Sequence, residues 1–177
     1  GLPETLESLS EHLLNGDIYP RFTRRPPENP ALVTVGVNPG EPLQIGAYRI
    51  LPVAVPHSVP SVGYTVTGGD GASVFYTGDT GSGFAGTLAG ASPQLIITEV
   101  TAPDRFGGED WSTKHLSPAL LEAELRSLKE GGSPLPRIVC VHMYAGLEEE
   151  IRRELKQVAA RLGADIRPGF EGMVIEL

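Results

Sequence analysis

The chain has 177 residues with 14 basic and 22 acidic side chains, a net charge of −8, which is the size of one domain able to bury about 70% of its unfolded surface. An acidic surface repels polyanions and counts against long nucleic acid as a partner, unless a local basic patch overrides the mean. No apolar run approaches the ~18 residues of a membrane helix, and the single cysteine, Cys140, excludes an intramolecular disulfide.

In chain order, Pro3 to Leu14 reads as a helix. Leu2, Leu6, Leu9 and Leu13 recur at helical spacing, Pro3 suits a first turn, Glu4 and Glu7 suit the positive end of the dipole, and Asn15-Gly16 ends the element. His12 lies within it without a partner motif and reads as a surface or packing residue. Arg21 to Pro30 holds too much proline for helix or central strand, so it is a loop; its Arg21, Arg24 and Arg25 suit solvent better than a phosphate. Ala31 to Val37 predicts a strand, Asn38 to Pro42 a turn, and Leu43 to Val55 one or two strands with a bulge or tight turn at Gly46-Ala47.

The stretch from Tyr48 to Gly83 organises the rest. A buried strand over Tyr48 to Val55 stops at Pro56-His57, placing an imidazole at a strand end. Val62 to Val66 and Ala72 to Thr77, joined by Gly68-Gly69-Asp70-Gly71, read as a hairpin. Gly78-Asp79-Thr80-Gly81 then bends sharply enough to aim the Asp79 carboxylate from the next strand end. An imidazole and a carboxylate on neighbouring strand ends are what a metal site on a rigid scaffold needs.

Phe84 to Ala89 predicts a short helix ended by Gly90, and Leu95 to Val100 a buried strand carrying Glu99. Ala102 to Trp111 is an irregular loop with two aromatics, Phe106 and Trp111, at a position suited to a lid or a substrate contact, although Trp111 equally suits packing the loop down. Ser117-Pro118 opens a helix that Gly131-Gly132 closes, with Leu120, Leu121, Leu125 and Leu128 on its apolar stripe. Arg137 to Val141 is a strand ending in His142, and its Cys140 reads as a buried structural thiol. Leu147 to Leu162 is a helix, acidic at its start and closed by Gly163. A short strand at Asp165-Ile166 precedes Gly169 to Gly172, and Met173 to Leu177 is expected to complete the sheet. Neither a repeat nor an interior linker is visible. Strands followed by strands alternating with helices imply an α/β class, with a mixed sheet and helices on its outer face.

The order H-x2-P-S-x-G-Y, Y-T-G-D-T-G, T-E-x-T, K-H-L-S-P and V-H-M resembles the C-terminal half of metallo-β-lactamase-fold hydrolases. It is closest to the class II cyclic-nucleotide phosphodiesterases and, further off, to the tRNase Z enzymes. Glu4 to Phe22 also looks like a segment that phosphodiesterase-like members carry, and His-Leu-Ser-Pro favours that branch. The resemblance implies the C-terminal half of an αβ/βα sandwich and a binuclear centre in which His57 ligates one metal, Asp79 bridges both and His142 ligates the second. Two cations ~3.5–4 Å apart need an anionic bridge to offset their repulsion, and these ligand types suit zinc, with manganese or iron also compatible. His115 then resembles the residue that protonates the leaving oxygen, and Glu99 the acid that orients it.

The family's His-x-His-x-Asp-His cluster is not in these residues, which hold only His12, His57, His115 and His142. The expectation is therefore a C-terminal portion of a longer metal-dependent phosphodiesterase, acting on a small phosphodiester such as a cyclic nucleotide. Alone, it is expected to be inactive and to hold metal weakly or not at all, since two protein ligands per ion are too few. An uncovered sheet face would favour homo-oligomers, or pairing with the missing N-terminal half. No membrane contact and a cytoplasmic location are expected. A non-catalytic member of the fold, or a tRNase Z-like or other ester hydrolase, are the alternatives; the RNA reading calls for a basic arm that these residues do not supply.

Overall fold

The structure, a computed structural model, describes residues 1–88, 91–106, 114–132 and 134–177. It divides into two compact units, Gly1–Glu41 and Pro42–Leu177. In the first, helix α1 spans Pro3–Ser8 and continues as a π-helical turn over Leu9–Leu13, closed by the Leu14 amide donating to the Leu9 carbonyl at 2.9 Å. The Asn15 side-chain oxygen then accepts from the Asp17 amide at 2.9 Å, and Arg21 Nε donates to the Asn15 carbonyl at 2.6 Å. That side-chain turn ends the helix where the Asn-Gly pair predicts it.

The strand expected over Ala31 to Val37 does not form. Gly1 exchanges backbone bonds with Val35 and Val37, which is one bridging residue rather than a neighbouring strand. Apolar alternation alone makes no strand without a ladder to join.

The second unit is built on a seven-stranded mixed sheet: β1 (Leu43–Ile45), β2 (Tyr48–Val55), β3 (Ser61–Thr67), β4 (Ser73–Tyr76), β5 (Leu95–Glu99), β6 (Arg137–Val141) and β7 (Ile166–Pro168), in that spatial order. Gly46, at φ 57°, makes the tight turn between β1 and β2. Pairs from β1 through β4 are antiparallel, whereas β4, β5, β6 and β7 run parallel. Two antiparallel steps return β2 to the direction of β4, so β2, β4, β5 and β6 all end at the same rim.

Among the described residues, α2 (Phe84–Thr87), α3 (Pro118–Glu130) and α4 (Glu148–Leu162) cover one sheet face. Ser117 caps α3 by accepting from the Leu120 amide, and Gly163, at φ 62°, closes α4 in the left-handed conformation. Leu121 and Leu125 of α3 and Ile151, Leu155 and Val158 of α4 bury against Phe75, Ile96, Ile138 and Cys140. The continuous apolar runs of β5 and β6 follow from their central, parallel position.

The C-terminal strand expected over Met173 to Leu177 is absent. Pro168 ends β7 without an N–H to offer, and Gly172 at φ 83° turns the chain. The segment instead lies over the second sheet face, where Met173 and Ile175 line a hollow with Ile97, Val139 and Val141. There the Glu176 carbonyl accepts from Arg137 Nη2 at 2.6 Å, a side chain rather than a ladder partner. The ends of two expectations, Ala89-Gly90 and Trp111, lie outside the described residues.

Candidate metal centre

The shared rim decides what meets. His57 follows β2, Asp79 follows β4, Glu99 ends β5 and His142 follows β6, so four chemically capable side chains far apart in sequence arrive at one edge of the sheet. Loops at the carboxyl ends of parallel strands are where α/β sheets place ligands. His115 reaches the same edge from the segment that leads into α3. Its ring centroid is 5.4 Å from that of His57 and 5.8 Å from that of His142.

Glu99 holds the group together. It is buried at 1% exposure, a position that costs a carboxylate heavily unless donors surround it. Four do. His115 Nδ1 lies 2.7 Å and the Thr80 amide 3.0 Å from Oε1, while the Thr101 hydroxyl lies 2.6 Å and the Leu116 amide 3.2 Å from Oε2. One acid thus ties the Asp79 loop, the β5 loop and the segment carrying His115.

Asp79 sits in a loop fixed at several points. Gly78, at φ 65°, makes the bend, and the Thr80 hydroxyl and Gly81 amide both donate to the Pro56 carbonyl, the latter at 2.6 Å. Pro56 precedes His57, so the two loops are bonded to one another. Beyond them the nearly buried Glu124 of α3 accepts from the Gly83 amide at 2.6 Å and the Ala85 amide at 2.8 Å, capping α2. His57 Nδ1 lies 2.6 Å from the Lys114 carbonyl. A carbonyl only accepts, so Nδ1 carries that ring's proton and Nε2 keeps its lone pair. His142 adopts φ 59°, the left-handed region that costs a non-glycine residue of order 1–2 kcal/mol.

Asp79, His115 and His142 each offer a ligand atom within 4.8 Å of the other two, and His142 Nδ1 is 3.6 Å from Asp79 Oδ1. Two imidazoles and a carboxylate are donors that zinc, manganese and iron accept, and three is the protein share of a catalytic zinc shell. The residues therefore fit a metal. This grouping differs in one member from the set that the resemblance implies: it takes in His115 and leaves His57 as the neighbour of the His115 ring. Arg21, Arg24 and Arg25 line a separate hollow within the first unit, among Pro20, Phe22 and Pro26.

The described start of the loop after β5, through Phe106, is anchored. Asp104 opens a 3₁₀ turn through Phe106; its amide donates to Glu154 at 3.0 Å and its carboxylate accepts from the Ala119 amide at 2.7 Å. Arg105 pairs with Glu150 at 3.2 Å and covers the Phe106 ring at 4.3 Å. Sequence reasoning did not single out Thr101 or Glu124. The T-E-x-T spacing contains Thr101, but nothing in a threonine's neighbours along the chain marks it as a contact of His142.

A family model described as the beta-lactamase superfamily domain matches residues 6–143. The chain belongs to this family. Its fold is the metallo-β-lactamase fold. The structure of unliganded yeast PDE1 superimposes with a TM-score of 0.79 at 20% identity, covering 96% of this chain and 56% of that one. The metallo-β-lactamase fold protein YhfI from Bacillus subtilis gives 0.61 at 20% identity, over 78% of this chain and 52% of that one. Human tRNase Z, short form, gives 0.51 at 17%, over 76% and 45%. Uncharacterized protein ML1173 from Mycobacterium leprae (strain TN) is 49% identical over 92 residues, 50% of this chain and 32% of that protein. The chain thus spans about half the length of these solved structures, and less of that relative.

Proposed function

We propose that these residues form one side of the active site of a metal-dependent phosphodiester hydrolase of the cyclic-nucleotide phosphodiesterase type, and that the remaining metal ligands come from sequence beyond them. The observation that carries the reading is the meeting of Asp79, His142 and the Glu99-held His115 at one sheet rim. Asp79 and His142 would hold the metal, with His57 the further ligand that the family resemblance implies and His115, though within reach, kept for proton transfer; zinc suits this set first, manganese or iron next. When bound, the metal supplies Lewis acidity toward a phosphoryl oxygen and acidifies a water molecule.

The chain's own residues supply orientation and a proton. His115 is the proton donor to the leaving oxygen, because its Nδ1 is committed to Glu99 at 2.7 Å and its ring is thereby held at a fixed angle to the rim. The Pro56 bonds fix Asp79 relative to His57. With a net charge of −8, the surface suits a small phosphodiester such as a cyclic nucleotide better than tRNA.

Metal analysis combined with a bis-p-nitrophenyl phosphate assay tests the proposal. The 177-residue chain should carry less than one metal and show no turnover, whereas the chain extended upstream to the length of a full family domain should turn over, lose activity to a chelator and regain it with zinc. Robust turnover by the short chain, or an inactive extended chain that is fully metal-loaded, overturns it.

A further inference from the structure

The Thr101 hydroxyl stands between His115, His142 and the buried acid. Its Oγ1 is 2.6 Å from Glu99 Oε2, 3.1 Å from His142 Nδ1 and 3.4 Å from His115 Nδ1. A hydroxyl has one proton to give, and an ionised carboxylate only accepts. At 2.6 Å, the length of a charge-assisted O–H···O⁻ bond, that proton goes to Glu99. Asp79 Oδ1, the other acceptor near His142 Nδ1, is 3.6 Å away and beyond hydrogen-bond length, so the hydroxyl oxygen is the acceptor toward His142, which must present Nδ1–H.

We propose that Thr101 is a positioning residue that extends the hold of Glu99 to His142, fixing that ring in the tautomer with its proton on Nδ1 and leaving the Nε2 lone pair as the donor to a cation. One buried carboxylate would then orient two histidines, His115 directly and His142 through a hydroxyl. The backbone of Thr101 is placed for this from both sides. Its amide donates to the Leu116 carbonyl at 3.0 Å and its carbonyl accepts from the Tyr144 amide at 3.0 Å, so the residues following His115 and His142 are both pinned to it. Outer partners of metal-ligating histidines commonly fix the tautomer in this way. The assignment of His142 as a ligand rests on the function proposed above; the tautomer does not.

The test is a long-range ¹H–¹⁵N spectrum of histidine-labelled 177-residue chain, without metal, at about pH 8, where ordinary imidazoles are neutral. Wild type should show His142 with a protonated Nδ1 and an unprotonated Nε2. Thr101→Val should convert His142 to the Nε2–H form that a solvated ring prefers, Thr101→Ser should retain the wild-type pattern, and His12 should stay constant in all three. A wild-type His142 in the Nε2–H form overturns the proposal outright, as does a Thr101→Val spectrum identical to wild type. If the valine variant fails to fold, the wild-type and serine spectra decide. An extended chain that binds no metal while these tautomers hold would defeat the functional reading and leave this one standing.

Discussion

Under the function proposed above, replacing His115 by asparagine should separate proton transfer from metal binding. In the extended, active chain, loss of a general acid should slow hydrolysis of an alkyl phosphodiester by about 10²–10⁴-fold, while a p-nitrophenyl ester, whose leaving group needs no proton, should be much less affected. Metal content should stay constant; a drop by one ion would make His115 a ligand. A second residue-scale outcome concerns Cys140, whose thiol burial pushes well above the ordinary cysteine range. A thiolate is the reactive form, so the folded chain should react negligibly with a thiol reagent at mildly alkaline pH and stoichiometrically once unfolded in urea. Fast labelling of the native chain would contradict its placement. At this scale the sequence is partly legible. His57, Asp79 and His142 stand out because each follows an apolar run that ends abruptly. Thr101 and Glu124 do not, since each acts through a contact 41 residues away and looks locally like any threonine or helical glutamate.

Elements that drew their shape from local rules were easy to read. Ser117-Pro118 starts α3, Gly163 closes α4, and Gly46 separates β1 from β2, because caps and turns depend on a few adjacent residues. Ala31 to Val37 and Met173 to Leu177 misled because a strand also needs a neighbour, and no local pattern says whether one is present. Gly63 marks such a neighbour from the other side. A Cβ there would lie 2.7 Å from the Tyr76 carbonyl oxygen and 3.0 Å from both the Thr77 carbonyl oxygen and Phe75 Cε2, so Gly63→Ala must push β3 away from β4. It should cost about 1–3 kcal/mol in urea unfolding; a neutral effect would mean that the strands separate easily. Between helices, Glu122 of α3 accepts from Arg161 of α4 and from Arg126. The Arg161 bond first, then Arg126, hold its carboxyl below the ordinary 4.5 against the opposing cost of burial. A depressed folded value contributes stability that is complete above the unfolded value and disappears as pH falls through the folded one. The difference in urea midpoint between wild type and Glu122→Gln should therefore be constant from neutral pH down to about 5 and vanish in stronger acid. A difference that persists in acid would assign the effect to packing.

At the scale of the molecule, the two sheet faces differ. One is closed by α2, α3 and α4, whereas the other carries Tyr64 opposite Tyr76, then Leu95, Ile97, Val139 and Val141, with the Met173 and Ile175 segment over part of it. Tyr76 is 46% exposed and Phe170 64%. Leu95 and Val139 are buried, whereas Tyr76 and Phe170 leave exposed apolar surface, and we propose that the isolated chain self-associates through it. The mass from light scattering should rise with concentration, and Tyr76→Lys should lower it; a monomer at every concentration would reject the proposal.

His142 gives the rim its cost. An imidazole at φ 59° occupies backbone space in which glycine is at ease, so a sequence chosen for durability alone would not keep histidine there. On the function proposed above, that cost keeps a nitrogen at the sheet's edge, and a stabilising substitution at this position should coincide with lost chemistry.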